Sequence, residues 1–563
     1  MKKKQFFTFI TLIFLALGIR IYGINWDQGF HLHPDERMLI MVAKRIQFFN
    51  QLNPRFFNYG SLPIYILKAV ADLINKSDYQ SILYVGRYLS IFFDIINLFF
   101  IYKIAFLLFK KQSIAFFSSF FYTIAFFPIQ NSHFFISDVF LTSLTSIFVY
   151  LLIKFLNNSN KKTNSLKKII FLGLTFAAML STKFTAIVFL PIVYFIIFIN
   201  SYHQYSKKQF FIKTIINLLI FNFSSLVFHF IFMPYAFLDY KNFLSAISLQ
   251  IKMNNNPYIF PYTLQYVNTL PYLYYLKNIF FWGLGPVISV LCLLGFIQVI
   301  KKVSNKIIWQ NQKPLITSYQ LLITVVFYLF YFLIIGRSAV KFMRYMLPVY
   351  PFLTIMAGYG LYQIQNSKFK IIKKTFNFLP VFLSFNFLLF LTLIWTLLFI
   401  SIYSQAHTRI SATDWILKNI PARSTLAIEH WDDHLPLYDQ EKYRFVEMTL
   451  YDQPDDERKW QILNEKLKQA DYIIIASNRL YVPLQKLNDC QKYKVCYPKT
   501  AEYYRKLFKE ELGFKKVAEF AVYPRLKIRS LNIKINDQNA DESFTVYDHP
   551  RIFIFKRSYT KKY

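Results

Sequence analysis

Apolar runs long enough to cross a bilayer constrain this chain more than any other feature. Phe6–Leu17 extending to Ile24, Ile82–Phe109, Leu321–Ile335 and Phe376–Tyr403 are the clearest. A helix needs ~20 apolar residues to span hydrocarbon, and a lipid-embedded backbone must satisfy its polar groups within the segment. With 55% hydrophobic and 20% aromatic residues over 563 positions, a water-facing surface could not absorb the excess. Eleven spans are expected, at about 6–24, 84–109, 113–128, 139–155, 169–181, 184–200, 213–233, 276–300, 316–335, 346–364 and 377–403. Residues 1–403 are thus expected to form a mainly α, polytopic transmembrane module, with a long first outer loop over 25–83 carrying short surface helices near 36–50 and 62–75.

The formal charge of +35 would suggest nucleic acid in a soluble protein, but its placement argues for a membrane. Segments 1–5, 110–112, 154–168, 201–213, 300–314 and 366–374 hold 21 Lys/Arg and no Asp or Glu. The intervening short segments hold six cations: Lys183, Lys241, Lys252, Arg337, Lys341 and Arg344. This positive-inside alternation puts the N-terminus in the cytoplasm of a multi-pass plasma-membrane protein. Lys2-Lys3-Lys4 before an apolar run has the look of a signal peptide, yet Arg20 and aromatic residues follow in place of a small-residue cleavage site. A retained first span is expected.

Beyond residue 404 the composition changes, and 22 of the 30 acidic residues lie there. Strand-like runs (Thr425–Ile428, Tyr472–Ala476, Val517–Val522, Arg551–Phe555) alternate with helical stretches (Asp414–Asn419, Asp456–Lys468, Thr500–Leu512). Residues 404–563 are expected to form an α/β domain, and an odd number of spans places it outside the cell. Cys490 and Cys496 could bridge there in an oxidising compartment, while Cys292 falls in a span as packing.

The eight remaining carboxylates cluster towards the outer face, and only Asp94 falls inside a span. Membrane carboxylates are costly, so clustering on one face points to a site there. His31-Leu-His33-Pro34-Asp35-Glu36 can be read as a helix start, a divalent-metal site or a general base with a supporting carboxylate. Ser132-His133 with Ser137-Asp138 reads as a cap of the fourth span or as a partner of Asp35. Lys183, Lys341 and Arg344 either snorkel to the interface or form the cationic set that a phosphate leaving group needs. Arg87 and Asp94, seven residues apart on one helix face, are expected to neutralise each other or Lys103. The tyrosine-rich stretch 257–275 is an interfacial belt or a sugar- or lipid-facing surface.

The motif order resembles the GT-C class of integral-membrane glycosyltransferases, and within it glycosyltransferase family 39, with the protein O-mannosyltransferases and aminoarabinose transferases. The pieces that carry the resemblance are His33-Pro34-Asp35-Glu36, Tyr59-Gly60-Ser61-Leu62-Pro63, Gly86-Arg87-Tyr88-Leu89-Ser90, Ser132-His133 with Asp138, Ser181-Thr182-Lys183-Phe184-Thr185, and Arg344-Tyr345-Met346-Leu347-Pro348. They cover roughly residues 1–365. Val546-Tyr547-Asp548-His549-Pro550 resembles the tail of a bacterial subset and reads as a turn between two strands.

The resemblance implies transfer of a sugar from a polyprenyl-phosphate donor to a glycan, lipid or protein acceptor at the outer face, with inversion. Asp35 would be the base, Glu36 its aid and Asp138 the second carboxylate. Lys183, Lys341 and Arg344 would hold the donor phosphate, with His33 and His133 in support. No cofactor is implied, although His31, His33 and Asp35 leave a divalent metal open; the absence of Asp-x-Asp fits the metal-dependent oligosaccharyltransferase branch poorly. The competing readings are a lipid-linked glycan transporter or flippase and a glycan ligase or polymerase. A transporter should show internal repeats and more ionisable groups at mid-span.

Overall fold

The computed structural model describes residues 3–157, 165–309, 316–366 and 385–558. Parts of the basic segments 1–5, 154–168, 300–314 and 366–374, and the start of the span expected at 377–403, lie outside the described residues.

A helix occupies the described part of each expected span, but not every one is long and apolar enough to cross a membrane. Among the described residues five meet that standard: Ser81–Phe109, Ser137–Leu156, Phe184–Gln204, Lys207–Phe232 and Asn386–Asn419. A sixth would be Gln112–Ile124 joined to Phe126–Ser132 across a 59° bend. Phe7–Ile21 and Gln320–Gly336 are shorter apolar helices. The chain is a multi-pass membrane protein, and among the described residues the helices that meet this criterion are fewer than the eleven spans expected.

Packing between the helices uses small residues where backbones meet. A Cβ at Gly295 would lie 2.0 Å from the Met356 carbonyl oxygen, and one at Gly360 would lie 2.1 Å from that of Leu291. Helices Pro286–Trp309 and Tyr350–Asn366 can therefore approach only with glycine there, the usual device where lipid gives no hydrophobic drive to association. Charges within the helical bundle are paired differently from expectation. Asp94 meets Arg20 and the Tyr122 hydroxyl. Arg87 donates to Asp27 (2.9 and 2.8 Å) and to Glu36 (3.0 and 2.8 Å). Arg87 and Asp94 share a helix face but not a bond, because residues brought in from Asp27, Glu36 and Arg20 offer better geometry than a partner two turns away.

The segment after the first helix forms helices Pro34–Arg45 and Leu62–Leu73, close to those expected. The first has Pro34 at its start, Asp35 and Glu36 in the first turn and Lys44 and Arg45 in the last, a charge order that suits the helix dipole.

The C-terminal region carries a five-stranded sheet, in order β2-β1-β3-β7-β4, with β1 Thr425–Glu429, β2 Arg444–Met448, β3 Tyr472–Ile475, β4 Phe514–Phe520 and β7 Ile552–Arg557. A two-stranded ribbon joins β5 Arg525–Ile528 to β6 Leu531–Lys534. β1 pairs in parallel with β2 and β3, and β7 is antiparallel to β3 and β4. The central strands are apolar over most of their length because both faces are covered. Tyr472, Ile474, Ile552 and Ile554 face helix Thr408–Asn419, while Ile473, Ile475, Phe553 and Phe555 face helices Glu457–Gln469 and Pro498–Phe508. Strands β2, β5 and β6 were not expected; β2, Arg-Phe-Val-Glu-Met, is half-exposed and charged at an edge. Cys490 and Cys496 form a disulfide, and Cys292 is free and buried.

Candidate active site

Asp35 owes its position to the start of helix Pro34–Arg45. His33 caps that helix, its Nδ1 accepting the Glu36 N–H at 3.4 Å. The Asp35 carboxylate then faces Arg344, with Oδ2 2.7 Å from Nη2. The Tyr59 hydroxyl is among the groups that help hold the Asp35 carboxyl ionised. Arg344 comes from the 3-10 turn Met343–Val349, and its Nε lies 3.9 Å from Asp138 Oδ2. Asp138 in turn accepts from Lys183 Nζ at 2.6 Å. Two carboxylates and two cations thus alternate in one row, Asp35, Arg344, Asp138, Lys183, buried except at the half-buried Asp35.

Aromatic side chains hold this row. The Lys183 ammonium lies 4.6 Å from the Tyr345 ring centre and 5.9 Å from that of Tyr59. Arg344 lies over Phe342 at 4.7 Å. Tyr59 reaches the site because Gly60 lets its segment dock on the end of helix Ser165–Thr182. The Gly60 N–H donates to the Thr182 carbonyl at 3.0 Å, and a Cβ there would stand 1.9 Å from the Ser181 carbonyl oxygen.

Charge follows from these contacts. Burial alone would raise the Asp35 carboxyl, but Arg344, then His33, Tyr59 and Lys183, hold it below the ordinary carboxylate value. Burial lowers Lys183, against the pull of Asp138. Burial also works against the Arg344 charge, but Asp35 and Tyr547 keep the guanidinium ionised. Arg344 Nε has no hydrogen-bond partner among the described residues. Lys341, three residues earlier, donates to the Ala339 carbonyl at 3.0 Å, and burial pulls it down to about 8.

The other expected residues lie elsewhere or act differently. Glu36 turns away from Asp35 into the buried Arg87–Asp27 cluster and accepts the Phe135 N–H at 2.8 Å. His31 stacks on Tyr79 at 4.0 Å, and burial lowers it to about 4. His33 packs between Phe134 and Tyr547, and burial lowers it to about 3, which suits a neutral cap. His133 sits with each ring nitrogen 2.8 Å from a carbonyl oxygen, of Ile129 and of Tyr22, and stacks on Tyr403. Asp138 stands in the first turn of its helix, and its carboxylate accepts from Lys183. Among the described residues no three His, Cys, Asp or Glu side chains converge as metal ligands. His31, His33 and Asp35 point to Tyr79, to the helix start and to Arg344, so these three do not converge on one ion, and no step below is routed through a metal.

Three tyrosines enter the site without having been assigned to it. Tyr59 and Tyr345 stand inside motifs already noted. Tyr547 belongs to the tail segment read as a turn, yet its hydroxyl lies 3.3 Å from Arg344 Nη1. Likewise the tyrosine-rich stretch 257–275 is a cradle for the C-terminal region: Tyr274 donates to Asp541 at 2.8 Å, and Gln265 bonds to Glu542.

The fold is that of the GT-C integral-membrane glycosyltransferases, which the chain resembles. A family model described as dolichyl-phosphate-mannose-protein mannosyltransferase matches residues 61–228. The archaeal oligosaccharyltransferase AglB from Archaeoglobus fulgidus, solved with an inhibitory peptide and a dolichol-phosphate, superposes with a TM-score of 0.52 at 11% identity, over 95% of this chain and 74% of that one. ArnT from Cupriavidus metallidurans bound to undecaprenyl phosphate gives a TM-score of 0.45 at 11% identity, over 85% of this chain and 94% of that one. The S. cerevisiae Pmt1-Pmt2 complex bound to its sugar donor gives 0.33 at 13% identity, over 43% and 35%. No curated protein sequence matches.

Proposed function

We propose that the chain transfers a sugar from a polyprenyl-phosphate-linked donor to an acceptor at the outer face of the plasma membrane, with the N-terminus cytoplasmic. In this reading residues 1–403 are the transferase module and 404–563 an extracytoplasmic domain over it. The observation that carries the proposal is the ion pair of the half-buried Asp35 with Arg344, set in one row with the buried Lys183 and Asp138.

Asp35 is the base. It is ionised, and it takes the proton of the acceptor hydroxyl as that oxygen attacks the anomeric carbon. The bond from that carbon to the phosphate oxygen breaks, the electron pair leaves with the polyprenyl phosphate, and configuration inverts. Arg344, Lys183 and Lys341 stabilise the charge that grows on the phosphate, where preorganised donors in a dry site are worth most. Asp138 holds Lys183 in place and His33 holds the helix start that aims Asp35. The resting pair also primes the base. Arg344 depresses the basicity of Asp35, and a donor phosphate that takes part of the arginine's charge relieves that depression as the substrate arrives.

The test is sugar release from a panel of polyprenyl-phosphate sugars, with candidate acceptors present, by the full chain in native lipid. Asp35→Asn should lower turnover by about 10²-fold or more, the usual contribution of a positioned base, and still bind donor. Unchanged turnover would remove Asp35 from the role.

A further inference from the structure

The transferase reading uses nothing from the C-terminal region, yet the structure sets a residue of that region against the phosphate-binding arginine. Phe544, Val546 and Tyr547 pack within the core of the helical bundle, not within the core of the sheet. The segment is fixed from several sides. The Tyr547 carbonyl lies 2.9 Å from His407 Nε2. The Asp548 carboxylate accepts from Gln130 at 2.9 Å and from the Tyr403 hydroxyl at 3.0 Å. The His33 ring packs on Tyr547 with centres 4.0 Å apart, just before Asp35.

The Tyr547 hydroxyl accepts from Arg344 Nη1, so its own O–H remains free to donate. Beside it is a small cavity with polar lining from His33, Gln130, Asn131, Arg344, Ser543 and Tyr547 and apolar walls from Phe127 and Phe134. Its volume, ≈ 10 Å³, suits one water or one phosphoryl oxygen. Arg344 Nε, buried and without a partner among the described residues, belongs to the same guanidinium.

We propose that Tyr547 is a ligand of the donor phosphate, supplied by the C-terminal region: it receives a hydrogen bond from Arg344 and donates one to a phosphoryl oxygen seated beside that arginine. The inference rests on the transferase reading and extends its phosphate site to a second region of the chain. A tyrosine suits the task, since a phenol donates a proton to an anion without adding charge. Burial also keeps Tyr547 protonated, pushing its ionisation above the usual tyrosine range.

The probe is undecaprenyl phosphate, with undecaprenol as the phosphate-free control, both titrated into the full chain in lipid nanodiscs. Tyr547→Phe should weaken binding of the phosphate about 10- to 100-fold, the effect of one lost hydrogen bond to a charged group, and leave undecaprenol binding and the melting temperature unchanged. A cycle with Arg344→Lys separates direct contact from general packing: the two losses should be non-additive if both side chains grip one phosphate. Full affinity in Tyr547→Phe, or strictly additive losses, would overturn the inference while leaving the transferase reading intact. Equal binding of undecaprenyl phosphate and undecaprenol by the unaltered chain would overturn the phosphate site itself.

Discussion

At the scale of single residues, neighbouring carboxylates in Asp35-Glu36 do opposite work. Helical geometry turns successive side chains about 100° apart, so one faces the site and the other the bundle. Asp35 meets Arg344; Glu36 is wholly buried against Arg87 and the Phe135 amide. The expectation that Glu36 aids the base therefore has a direct test. Glu36→Gln leaves Arg87 paired with Asp27 but weakens one buried charge-assisted contact, a loss of ~1–3 kcal/mol. A lower melting temperature is expected, with kcat of the folded enzyme within about threefold of the native value. A kcat loss of about 10²-fold at unchanged stability would return Glu36 to catalysis. Asp35, Asp138, Lys183 and Arg344 could be picked out from sequence because charges at span ends are rare and each needs a reason. The pairing of Arg87 with Asp27 and Glu36 could not, since the partners lie 60 and 51 positions away and no periodicity links them.

At the scale of elements, the site is assembled from the first turns of helices Pro34–Arg45 and Ser137–Asn157, a glycine dock and a 3-10 turn, not from any one element. The sequence pattern placed helices Pro34–Arg45 and Leu62–Leu73 well, because Pro34, the acidic first turn and the apolar spacing are local signals. It missed the contact between residues 59–61 and the end of helix Ser165–Thr182, which depends on the room left by one absent side chain. Gly60→Ala should therefore act at a distance from any charge. Overpacking against the Ser181 carbonyl costs ~1–3 kcal/mol, and Tyr59 moves away from Asp35 with its segment. Calorimetry should show a lower melting temperature, and turnover should fall further than in Tyr59→Phe, which loses the hydroxyl alone. An alanine variant with native stability and turnover would show that the segment can shift freely. In the sheet region, the strands β1, β3 and β7 are buried on both faces and read clearly as apolar runs, whereas edge strand β2 alternates charge and contact too weakly to stand out.

At the scale of the whole molecule, the C-terminal region is latched to the helical bundle through a buried charge. His549 is fully buried between Asp548 and Asp537, with its Nε2 2.9 Å from Asp537 Oδ2 and its Nδ1 bonded to Asp548. An imidazole can serve two carboxylates at once only when both nitrogens carry protons. Burial opposes that charge, but Asp548 and Asp537 outweigh it and raise His549 from 6.5 to about 10. Asp548 is also the residue held by Gln130 and Tyr403, so the imidazolium ties the tail to helix Phe126–Ser132 and to the turn after helix Phe385–Ile400. The sign of the pH effect follows from the direction of the shift. A group whose folded value is raised contributes all of its stability below its unfolded value, 6.5, and loses it progressively as pH climbs through about 10. His549→Gln, which never carries the charge, should melt well below the native chain at pH 6. The gap should narrow steadily as pH rises towards 10, although other groups move both curves. A gap that stays constant across this range would mean that His549 is neutral in the folded protein and that the latch is held by packing alone. If the gap does close, loss of this charge at alkaline pH should loosen Tyr547 as well, and the affinity for undecaprenyl phosphate should fall with the same pH dependence in the native chain but not in Tyr547→Phe.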